Sequence, residues 1–110
     1  MARYVVMGVS GCGKTSVGTA FAGEIGGRFI DGDDLHPAEN VAKMARGEAL
    51  DDNDRRPWLA RVAEKLRSAE EPVVIGCSAL KRRYRDWIRQ EVGAPVTFLH
   101  LSGSRAVIAE

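Results

Sequence analysis

Cysteine is scarce: Cys12 and Cys77 are the two in 110 residues, far apart, with no CxxC pair and no Cys/His cluster near either. That pattern excludes a disulfide framework and a zinc knuckle, and both thiols read as reduced. Long hydrophobic runs are missing too. No stretch approaches the roughly 18 apolar residues of a membrane-spanning helix. The apolar start at Tyr4–Met7 falls short of the ~7–15 residues of a signal-peptide core. A cytoplasmic chain that makes no use of a membrane is therefore expected. Neither charge sign dominates: 16 Lys and Arg face 15 Asp and Glu, for a net +1. No global field draws the chain to nucleic acid, so any anion site must be local. With 45% hydrophobic and 28% charged residues, the composition is that of a globular domain rather than a disordered chain. No repeat, linker or low-complexity tract divides it, so residues 1–110 read as a single domain.

Strand and helix patterns alternate along the chain. Arg3 to Met7 is a short apolar strand ending in glycine. Val17, Ala20, Phe21 and Ile25 then recur at helical spacing until Gly26-Gly27. Arg28 to Asp31 forms a second strand. A short helix opens at His36-Pro37, carries Val41 and Met44 on its apolar side, and stops at Gly47. The acidic stretch Asp51–Asp54 caps a longer helix with Trp58, Leu59, Val62, Ala63 and Leu66 on one face. Val73 to Cys77 is apolar throughout, which suits a strand buried on both sides. Leu80, Tyr84, Trp87 and Ile88 mark a further helix with a basic outer side. Val96 to Leu101 is a fourth strand, and Ser104 is placed to cap a last helix of barely two turns. The alternation predicts an α/β fold on a parallel sheet.

The strongest motif is Gly8-Val9-Ser10-Gly11-Cys12-Gly13-Lys14-Thr15, which satisfies G-x-x-x-x-G-K-[ST] in full. A strand precedes it and a helix follows, as a phosphate loop requires. Its glycines let consecutive backbone N–H groups turn toward one phosphate, and the helix start adds the positive end of its dipole. Lys14 supplies a point charge for the β- and γ-phosphates of ATP, and Thr15 a hydroxyl for Mg²⁺. Cys12 occupies a position where the backbone N–H does the binding, in preference to acting as an activated thiol.

A second cluster, Asp31-Gly32-Asp33, follows the second strand. Alone it would be a turn. Beside a phosphate loop, one carboxylate suits Mg²⁺ held through water, and the other suits the proton of an attacking hydroxyl. Asp34 reads as solvated. Two uses stay open for His36: contact with a polar substrate, or capping of the helix at Pro37.

In order, the phosphate loop, Asp31–Pro37, Asn40–Met44, Gly47–Leu50, Asp52–Leu59, Cys77–Lys81 and Tyr84–Asp86 closely resemble the small gluconate kinases of the thermoresistant type. Those are relatives of shikimate kinase and adenylate kinase. The resemblance implies a three-layer P-loop kinase fold with parallel strands in the order 2-3-1-4. It also implies transfer of the ATP γ-phosphoryl to the 6-hydroxyl of D-gluconate. By position, Gly8 to Thr15 would hold ATP and Mg²⁺, Asp33 would face the sugar-acid hydroxyl, and Asp31 would lie nearer the metal. His36 joins the substrate side. Arg55 stands where shikimate-kinase-like enzymes place an arginine for the substrate carboxylate, a bidentate contact suited to a planar guanidinium. Lys81 and Arg85 extend a basic rim, while Arg82, Arg83 and Arg89 read as a solvated face.

The third strand lacks the acidic residue of a usual Walker B strand, as does the resembled family, which leaves metal binding to Thr15 and Asp31. Members of that family continue for about half as much again, so the chain reads as C-terminally shortened. The further part would carry a lid with phosphate-clamping arginines and a last strand. Similar kinases often form homodimers. Two other readings remain: an ATP-binding fragment without catalysis, and a related small-molecule kinase with an acceptor such as shikimate.

Overall fold

The computed structural model describes residues 2–8, 13–78, 81–102 and 105–109. Ten elements follow in order: β1 (Arg3–Met7), α1 (Lys14–Glu24), β2 (Arg28–Asp31), a 3-10 turn (Gly32–Leu35), α2 (Ala38–Ala45), α3 (Asp52–Arg67), β3 (Val73–Cys77), α4 (Arg82–Val92), β4 (Thr97–Ser102) and β5 (Arg105–Ala109). The sheet order is β2-β3-β1-β4-β5. The first four strands are parallel, in the 2-3-1-4 order implied by the sequence.

The period of two along each strand sorts the core into two layers. Val5, Met7, Val73, Ile75, Cys77 and Phe98 pack against Trp58, Leu59, Val62 and Leu66 of α3 and Tyr84, Ile88 and Val92 of α4. Val6, Val74 and Leu101 turn the other way, toward Ala22, Val17, Phe21 and Ile25 of α1. β3 is buried along its whole length, as an apolar central strand must be.

Phe29 of β2 sets the approach of α1. A Cβ on Gly18 would lie 2.3 Å from its ring, and one on Gly76 would lie 2.9 Å away. The ring is held between two glycines and cannot retreat from one without meeting the other. Gly18→Ala is therefore expected to destabilise the domain by about 1–3 kcal/mol through overpacking. Urea unfolding measures the loss, and an unchanged midpoint would refute the close packing.

Three sequence expectations are corrected. Ala20 is exposed, and Gly18 and Ala22 join Val17, Phe21 and Ile25 on the face of α1 that meets the sheet. Val41 and Met44 are 53% and 43% exposed, while Asn40 is the residue of α2 that is buried. The segment beyond Ser104 is an antiparallel strand and not a helix, pairing Ser102 with Arg105 through Phe98 with Ala109. Five or six residues close only about one or two helical hydrogen bonds, too few to offset nucleation. The free edge of β4 offers them a full ladder instead.

Candidate active site

Strand register gathers the chemistry at one edge. Met7 pairs with Cys77 and Asp31 with Gly76, so β1, β2 and β3 end level with one another. The Gly8 amide donates to the Cys77 carbonyl at 3.2 Å. The segments leaving all three strands thus share the carboxyl edge, where ligands of open parallel sheets bind.

After β1, Gly8 is buried and Val9, Ser10, Gly11 and Cys12 lie outside the described residues. Gly13 caps α1 at φ 87°, a left-handed conformation that favours glycine, and no side chain caps the helix. The first amides of α1 are therefore not taken up by a capping side chain, and with the helix dipole they suit an anion. Lys14 opens the helix and Thr15 lies exposed in its first turn.

After β2, the Asp33 amide donates to Asp31 Oδ1 at 3.0 Å, which winds the chain into the 3-10 turn. Asp31 is half-buried and tied to this turn, whereas the Asp33 and Asp34 carboxylates are exposed. Gly32 is buried against β3, where a Cβ would stand 2.5 Å from the Gly76 carbonyl oxygen. Its own carbonyl accepts from Trp58 Nε1 at 2.8 Å. That bond fastens the acidic turn to α3.

His36 stacks on the Trp58 indole, with ring centres 4.4 Å apart and planes 14° from parallel. Its Nδ1 lies 3.1 Å from Asn40 Nδ2. Burial holds the imidazole below its ordinary pKa of 6.5, with Asp33 opposing and Arg55 reinforcing the shift.

Arg55 Nη1 donates to the Tyr84 hydroxyl at 3.2 Å, and its guanidinium carbon lies 5.6 Å from the centre of that ring. Lys81 Nζ lies 5.7 Å from the same centre. The Tyr84 hydroxyl in turn donates to Asp52, which also pairs with Arg83. Two of the three basic residues expected at the substrate side therefore meet on one tyrosine. Arg85 is half-buried on α4. Among the described residues no group of three His, Cys, Asp or Glu side chains is arranged to hold a metal.

Sequence reasoning missed three organising residues. Tyr84 and Trp58 read as core and are core, yet each carries one polar atom that ties site elements together. Asn40 stood inside a stretch that carries the resemblance but received no role, because burial of a lone polar residue on a short helix has no sequence period.

Two carboxylates couple the region to pH. Asp54 is held below 3.8, first by the Lys43 ammonium at 2.7 Å and then by the Asp51 amide. Asp52 is held below 3.8, first by the Tyr84 hydroxyl and, among charges, by Arg83. Folded values below the unfolded one mean stability that is present above 3.8 and lost as pH falls through the lower folded values. Asp54→Asn is expected to be less stable than the parent near neutral pH, with the gap closing in acid. Urea unfolding across a pH series checks this, and a gap constant with pH would contradict it.

A family model for the AAA domain matches residues 4–110. The thermosensitive gluconokinase of Escherichia coli K12 is 47% identical over 109 residues, which are 96% of this chain and 57% of that protein. The gluconokinase of Gluconobacter oxydans 621H is also 47% identical, over 96% of this chain and 61% of its own. Among solved structures, a gluconokinase from Sinorhizobium meliloti 1021 superposes with a TM-score of 0.83 at 53% identity, covering 94% of this chain and 58% of that one. A sugar kinase from Janibacter sp. HTCC2649, solved unliganded, gives a TM-score of 0.83 at 46% identity over 93% of this chain and 61% of its own. The chain thus spans somewhat over half the length of the relatives it matches. It belongs to the AAA domain family of P-loop proteins, with gluconokinases as its relatives.

Proposed function

We propose that this chain carries the phosphate-binding and acceptor-binding parts of an ATP-dependent gluconate kinase. The observation that carries the reading is the register that ends β1 and β2 together, so that Gly8 and the acidic turn after Asp31 leave from one sheet edge. Relatives named gluconokinase support D-gluconate as the acceptor. The Gly13 turn, the first amides of α1 and Lys14 bind and orient the ATP phosphates. Mg²⁺ suits the Thr15 hydroxyl and the second oxygen of Asp31, and when bound it neutralises charge on the phosphate oxygens. Asp33 takes the proton of the 6-hydroxyl. That oxygen bonds to the γ-phosphorus as the bond to the bridging oxygen breaks, giving 6-phosphogluconate and ADP. Arg55, with Lys81 beside it, receives the gluconate carboxylate, and Arg85 extends that rim. The reaction belongs to the cytoplasm, where ATP is at hand and a buried thiol such as that of Cys77 stays reduced.

Lys14→Ala tests the phosphate end. It is expected to lower gluconate-dependent ADP release by on the order of 10²–10³, the usual loss when a transition-state charge partner is removed. Undiminished release would remove Lys14 from the reaction. Shikimate in place of gluconate is expected to give no ADP above background. ATP binding with no transfer to either acceptor would favour the non-catalytic reading instead.

A further inference from the structure

Asn40 is the one buried polar side chain among the described residues, 3% exposed. Its Nδ2 donates to the Asp54 backbone carbonyl at 2.8 Å. A carbonyl only accepts, so that oxygen dictates which end of the Asn40 amide faces it. The carbonyl is itself fixed, because Asp54 closes the capping box with Asp51 at the start of α3. The second N–H of the same amide then faces His36 Nδ1 at 3.1 Å. An N–H opposite Nδ1 requires that nitrogen to be unprotonated, which leaves the ring proton on Nε2. Stacking on Trp58, which is anchored to the Gly32 carbonyl, fixes the ring plane.

We propose that Asn40 is a positioning residue that locks His36 as its Nε2–H tautomer, making His36 a neutral hydrogen-bond donor to a hydroxyl or carboxylate oxygen of a polyol acid. The identity of that ligand rests on the gluconate reading, while the tautomer does not. Among the described residues, Nε2 has no protein partner. The groups acting on the ring are Asp33 from the 3-10 turn, Arg55 from α3 and Asn40 from α2. The Asp31 and Asp33 carboxylates only accept, so a polyol bound beside them needs donors as well. A neutral donor distinguishes an oxygen acceptor from an apolar group without adding a charge that would draw every anion.

The chain has two histidines, His36 and His100, so ¹⁵N-histidine labelling with His100→Gln for assignment reads His36 directly. At pH 7.5 the wild-type ring is expected to show a protonated Nε2 and an unprotonated Nδ1. A proton on Nδ1 would overturn the proposal. Asn40→Asp replaces the donor by an acceptor, and the His36 Nδ1 resonance is expected to move to the protonated range. An unmoved Nδ1 in a folded variant would also overturn it. In turnover, His36→Ala is expected to raise the gluconate KM by up to about tenfold, one neutral hydrogen bond, with the ATP KM unchanged. His36→Gln, which retains an N–H, is expected to recover most of that loss. A gluconate KM equal in His36→Ala and wild type would remove the donor role. Absence of gluconate turnover in the wild type would count against the gluconate reading alone, and the ring measurement would still decide the Asn40 assignment.

Discussion

Asp33→Asn is expected to lower gluconate-dependent turnover by on the order of 10²–10⁴, the range for removal of a general base. ATP affinity is expected to stay near that of the parent. The separation follows from where the residue sits. The turn is wound by the Asp33 amide on Asp31 Oδ1, a bond that the side-chain change does not touch. The Asp33 carboxylate is exposed and makes no hydrogen bond to the described residues. An amide of the same shape therefore leaves the fold and the Gly13 turn intact while removing the proposed proton acceptor. Steady-state kinetics together with ATP titration separate the two effects. Wild-type turnover in Asp33→Asn would refute the base assignment, and a parallel collapse of ATP binding would move the residue to the nucleotide side.

Trp58→Ala has the largest expected effect on stability, a loss of about 3–5 kcal/mol. Against a total of about 5–15 kcal/mol for a domain, that places the variant near unfolding. The indole is 2% exposed in the core beneath α3. Its removal opens a cavity, frees the Gly32 carbonyl and deprives His36 of its stacking partner. Trp58→Phe separates these contributions. It keeps most of the apolar volume but leaves the buried Gly32 carbonyl unpaired, a cost of about 1–3 kcal/mol. Urea unfolding of both variants, with His36 ring shifts recorded for Trp58→Phe, measures the two parts. Equal losses for Phe and Ala would assign the role of Trp58 to its hydrogen bond alone.

The four parallel strands were legible from their apolar patterns: the run Val73–Cys77 has no alternative to a central position. The buried face of α3 was equally plain, since Trp58, Leu59, Val62, Ala63 and Leu66 repeat at helical spacing and all are buried. The acidic pair was found because strand, aspartate and glycine stand together in sequence. On α2 the apolar period pointed to Val41 and Met44, yet the helix is eight residues long and packs through Asn40, whose burial depends on a carbonyl fourteen positions away. A contact of that kind leaves no local trace. The same holds for Tyr84, whose hydroxyl joins Asp52 and Arg55 across about thirty positions of chain. The final segment misled for a different reason. Ser104 and the apolar residues after it fit a helix start, but so short a stretch gains more from the open edge of β4.

The most direct test of the central claim is ³¹P NMR of the purified 110-residue chain with Mg-ATP and D-gluconate. A phosphomonoester resonance from 6-phosphogluconate is expected, rising in step with ADP, absent without gluconate and nearly absent in Lys14→Ala. ATP hydrolysis to inorganic phosphate at the same rate with and without gluconate, or no loss of ATP at all, would contradict it.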